Sequence, residues 1–74
     1  MATQRFSAVL QREGDGYVAL CPELDVASQG DTLEEARANL REAIELLLET
    51  ASPEEIKKRL RSEVYLTSLE VEVG

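Results

Sequence analysis

Polar and apolar residues alternate loosely near the start of the chain. Phe6, Ala8 and Leu10 fall on one side, and Arg5, Ser7 and Gln11 on the other, with Val9 as an apolar exception. Period two predicts a half-buried strand over about 4–12. The stretch EGDGY follows, and its Gly14, Asp15 and Gly16 supply left-handed dihedrals for a hairpin turn, Asp-Gly being the strongest local signal. The returning strand, about 16–22, is apolar on both faces from Tyr17 to Cys21. Pro22 ends hydrogen-bond donation there. A short third strand is expected over 25–29, with Val26 and Ser28 on one face, and Gly30 and Asp31 then turn the chain.

The period changes at Thr32. Leu33, Ala36, Leu40, Ala43, Ile44, Leu47 and Leu48 form one stripe at helical spacing, which predicts a long helix over about 32–50. Thr32 and Glu35 have capping-box spacing, and Asp31, Glu34 and Glu35 place negative charge at the positive end of the helix dipole. Arg41 and Glu45, four apart, are spaced to pair. Ser52, Pro53 and Glu55 give a second start signal, for a short helix over 53–61. Period two returns over 64–73, with Thr67, Leu69, Val71 and Val73 on one side and Ser68, Glu70 and Glu72 on the other, which predicts a last strand with one wet face. The expectation is one α+β domain over 1–74, an antiparallel-dominated sheet packed on one long helix. The apolar residues on both faces of the second strand further suggest burial in a homo-oligomer.

The 74 residues allow one thin core. Cys21 is the single cysteine, so no disulfide compensates, and a reducing cytoplasm is expected. No signal peptide is read in MATQRFSAVL, and no segment is apolar enough to span a membrane. Fifteen acidic against eight basic residues give a formal charge of −7, which repels nucleic-acid phosphates. Lys57, Lys58, Arg59 and Arg61 come just after Glu54 and Glu55 and read as a solvated helix face with cations near its end. An acidic protein suits a basic partner, and nucleic-acid-binding proteins are one such class.

Catalytic chemistry finds little support. There is no histidine, hence neither the commonest general base nor the commonest metal ligand. Cys21 has no histidine to activate it and reads as a buried structural thiol. Asp15 and Asp31 are explained by a turn and a helix start, which leaves Glu23 and Asp25, too few for a convincing Mg²⁺ site. Gly14, Gly16 and Gly30 fit neither phosphate-loop nor dinucleotide spacing. Tyr17 and Tyr65 are read equally well as interface anchors or as rings at the core edge. No enzyme activity, cofactor or metal is expected.

The stretch GYVALCPELDVASQGDTLEEARANLREAIELL, residues 16–47, resembles the HicB-like antitoxin family. The resemblance rests on Tyr17, Ala19, Pro22, Leu24, Ser28, Gly30, Asp31, Thr32, Glu35, Ala36, Asn39, Ala43 and Ile44. It implies a β-β-β-α-β domain similar to part of the ribonuclease H fold, a homo-oligomer (dimer or tetramer), and a protein that neutralises HicA, a small basic mRNA-cleaving toxin. Family members usually add a C-terminal DNA-binding domain; this chain ends at Gly74, so direct DNA binding is not expected. The expected partner-facing residues are Tyr17, Pro22, Glu23, Leu24, Asp25, Ser28 and Gln29. Gly14, Asp15, Gly16, Gly30, Asp31, Thr32 and Glu35 are expected to build turns and the helix cap. A stand-alone homo-oligomer that binds another protein or a ligand is the competing expectation, and a metal-dependent nuclease a weaker one.

Overall fold

The computed structural model describes residues 4–60 and 63–74. Three strands, β1 (Val9–Glu13), β2 (Gly16–Cys21) and β3 (Val26–Gly30), form an antiparallel sheet in the order β1-β2-β3. Helix α1 (Leu33–Thr50) packs across it, and α2 (Pro53–Leu60) follows. The α+β class expected from the sequence is the class observed.

The first hairpin is closed by Glu13 opposite Gly16, so its loop is only Gly14 and Asp15. Gly14 carries the positive φ, 60°, and Asp15 does not. A left-handed first residue followed by an ordinary second one fits the turn that places glycine first. Gly16 and Gly30 are therefore strand residues and not part of turns, correcting the sequence reading. Gly30 is needed for a different reason. A Cβ there would meet the backbone N of Ala36 at 2.5 Å, so its bare backbone lets β3 pass close beneath the first turn of α1.

The register explains where β1 begins. Val9 lies opposite Leu20, so two steps further Ser7 would lie opposite Pro22, which has no N–H to give. The ladder stops short of the expected residue 4. The Ser7 N–H instead donates to Glu23 Oε2 at 2.9 Å, and Phe6 packs against the core without a strand partner.

Pairing puts Leu10, Tyr17, Ala19, Cys21, Val26 and Ser28 on the face towards α1. Ala19, Cys21, Leu24, Ala36 and Leu40 are the buried core, flanked by Phe6, Leu10, Tyr17, Val26, Ile44 and Leu47. The expected stripe of α1 is buried only in its middle: Leu33 and Leu48 remain 47% and 39% exposed. A helix of 18 residues is about 27 Å long, whereas a five-residue strand spans about 17 Å, so α1 overhangs its sheet.

Two expectations change. Residues 63–74 form neither helix nor strand, so the last strand over 64–73 is not part of this sheet. Period two describes a strand that has a neighbour to pair with, and here no strand among the described residues lies beside it. Arg41 and Glu45 make no ion pair; the one pair among the described residues joins Arg59 Nη2 to Glu55 Oε1 at 3.3 Å. Arg61, the expected end of α2, lies outside the described residues.

Candidate functional site

The cap of α1 is built from its own first turn. Glu35 N–H donates to Thr32 Oγ1 at 3.0 Å, as the capping-box spacing predicts. The reciprocal bond goes one residue further back, from Asp31 N–H to Glu35 Oε1 at 3.4 Å. The cap places two acidic residues, Asp31 and Glu35, at the end of the sheet where the first hairpin turns. Glu13, Gly16, Tyr17, Val18, Gln29 and Gly30 complete the wall of an open cleft of about 510 Å³. Its charged lining is wholly acidic. Arg12 lies opposite Tyr17 in the register and stands over its ring, 5.3 Å from the centroid. Partly buried against the core, Tyr17 is a core-edge residue at the wall of this cleft.

The opposite end of the sheet holds the β2–β3 loop. Pro22, Glu23, Leu24 and Asp25 line a second cleft of about 380 Å³, together with Glu55, Lys58 and Arg59 of α2. Asp25 takes a positive φ of 54°, an uncommon conformation for a non-glycine residue that aspartate tolerates in turns. Arg59 Nη1 donates to the Leu24 carbonyl at 2.7 Å and Nη2 to Glu55, so α2 is tied to the loop. Arg59 Nε is buried with no partner among the described atoms.

Glu23 accepts from Ser7 N–H and, at 3.5 Å, from the Cys21 thiol. Burial alone would raise its carboxyl, but the hydrogen bonds led by that from Ser7 together outweigh burial and hold it below its ordinary range. Burial pushes the Cys21 thiol up, and the neighbouring Glu23 carboxylate adds to this. Among the described residues, no group of three or more histidine, cysteine, aspartate or glutamate side chains is placed to hold a metal ion.

The seven expected partner-facing residues thus do not form one surface. Tyr17 and Gln29 belong to the acidic cleft, and Pro22, Glu23 and Asp25 to the loop at the other end of β2, about 17 Å from Tyr17. Ser28 is half-buried between them on the helix side. Leu24 is fully buried in the core and offers nothing to a partner, which corrects its assignment: a leucine inside a tight four-residue loop turns inward because core lies beneath it. Sequence reasoning missed Glu13, Arg12 and Arg59. Arg12 and Glu13 become legible once the hairpin register is known. Arg59 gave only its spacing from Glu55.

Three curated relatives are similar to this chain, all from Synechocystis sp. The UPF0150 protein ssl0738 is 46% identical over 52 residues, covering 69% of this chain and 71% of its own length. The UPF0150 protein ssr1258 is 43% identical over 51 residues, covering 66% and 74%. This chain belongs to the UPF0150 family. Another member, ssr1765, is 51% identical over 47 residues, with 61% of this chain and 60% of its own length aligned. No family model matches the chain, and no solved structure matches it. No helix among the described residues is long and apolar enough to cross a membrane.

Proposed function

We propose that this UPF0150 protein is a binding module of the HicB antitoxin kind, acting in the cytoplasm as a homo-oligomer, without enzymatic activity or direct DNA binding. Its partner would be a small basic HicA-type toxin. The observation that carries the reading is the cleft at the start of α1, which Glu13, Asp31 and Glu35 line together in a chain of formal charge −7. Three carboxylates in one cleft suit the lysine- and arginine-rich face of an RNA-binding protein, because the charges steer the encounter. The resemblance over residues 16–47 supplies the class of partner.

The test is size exclusion with light scattering and an RNA-cleavage assay, using a basic HicA-like protein encoded in the same genome. A complex that suppresses cleavage, and that Glu13→Lys with Glu35→Lys breaks, supports the reading. Full cleavage in the presence of excess protein defeats it. A second reading, a homo-oligomeric binding module without a toxin, is favoured by the apolar residues left uncovered on the outer sheet face, Val9 at 40% and Leu20 at 37% exposed. It expects an assembly indifferent to the toxin.

A further inference from the structure

The two edges of the sheet differ. At β3, Asn39 of α1 reaches over and donates its Nδ2–H to the Gln29 carbonyl at 2.8 Å, so the helix covers a backbone group of that edge. At β1, no element among the described residues lies alongside. The closing pair of a two-residue hairpin exchanges both its hydrogen bonds, and the pattern alternates along the ladder. Glu13, Gln11 and Val9 therefore bond to β2, while Arg12 and Leu10 turn their N–H and C=O groups outward. Such a row of unpaired groups is a template for another strand.

The same chain carries a strand-like segment with nothing to pair with. Over 64–73 it keeps period two, and its apolar side is left in water: Leu69 is 85%, Val71 75% and Val73 96% exposed. The radius of gyration is 14.4 Å, against about 11 Å for a compact chain of this length, as expected when a segment stands away from the body.

We propose that residues 64–73 form an arm that adds as a fourth strand to the open β1 edge of a second copy of this chain, each copy lending its arm to the other. Charge favours this occupant. Residues 4–13 carry Arg5 and Arg12 against one acid, Glu13, which lies on the other face of the sheet from Arg12, whereas residues 63–74 carry Glu63, Glu70 and Glu72 and no base. The faces also agree. If Leu69, Val71 and Val73 continue the outer face beside Val9 and Leu20, then Glu70 and Glu72 fall on the face that carries Arg12. A two-fold exchange pairs both open edges with both arms. The inference deepens the oligomer part of the proposed function and does not depend on the toxin.

The test uses the full chain alone. Light scattering should give twice the chain mass, and Val71→Pro should return it to a single chain, because proline cannot donate to the new ladder. Val71 is not among the core residues, so far-UV circular dichroism should show the body of the variant intact. In a mixture of isotope-labelled and unlabelled chains, filtered NOEs should connect the arm of one chain to residues 8–12 of the other. A monomer at all concentrations overturns the proposal and the oligomer reading together. A dimer that survives Val71→Pro, or arm contacts found only within one chain, overturns the proposal while leaving the antitoxin reading to its own assay.

Discussion

Gly30 shows how much a single hydrogen atom decides here. A methyl group at this position would press on the backbone of α1, not on a side chain that could swing aside. Gly30→Ala should cost about 1–3 kcal/mol, read as a lower urea midpoint; an unchanged midpoint would show that the strand and helix have room to part. Thr32→Ala removes the cap acceptor and should cost about 1 kcal/mol in the same assay. Glu23 makes a pH-dependent contribution of known sign. Its folded pKa lies below the ordinary value, so the folded state binds its proton less readily than the unfolded chain. The stability it adds is complete above the ordinary glutamate range, about 4.3, and disappears as pH falls through the folded value. Glu23→Gln should therefore be less stable than the parent near neutrality, with the difference closing in acid. A gap that stays constant down to pH 2 would mean that charge plays no part.

At the scale of elements, the sheet is held from one side and at one edge. Asn39→Ala leaves the Gln29 carbonyl without its partner, and a loss of about 1 kcal/mol is expected, with faster amide exchange in β3 than in β1. Equal acceleration in both strands would deny Asn39 its local role. The elements themselves were largely legible. Period two gave the first hairpin, period 3.6 gave α1, and Ser52 with Pro53 gave the start of α2, where Glu55 N–H donates to Ser52 Oγ at 3.2 Å. These signals lie in neighbouring residues, so a local pattern suffices to read them. What failed was decided at a distance. Pro22 stopped β1 fifteen residues upstream of itself through the register, and Leu24 turned into a core that only the packed helix creates. The acidic cleft was hidden for the same reason, since Glu13 meets Asp31 and Glu35 only after the hairpin and α1 are both in place.

At the scale of the molecule, the dominant quantity is the charge of −7. Association with a basic partner should weaken steeply between 0.05 and 0.5 M salt, where the Debye length falls to a few ångströms, and mainly through a slower on-rate. Binding that ignores salt would point instead to the apolar outer face of the sheet. Leu40, at the centre of the thin core, sets the margin on which all of this rests; Leu40→Ala should cost about 3 kcal/mol and bring a chain this small close to unfolding at room temperature. The core also supplies its own means of watching that margin. Cys21 is the single thiol, with no exposed surface, on the strand that both neighbours share. A thiol-reactive dye can reach it only during the moments when that strand is unsheathed. The rate at which the dye colours the sample is then a clock for the breathing of the sheet, read from the natural sequence with no label introduced.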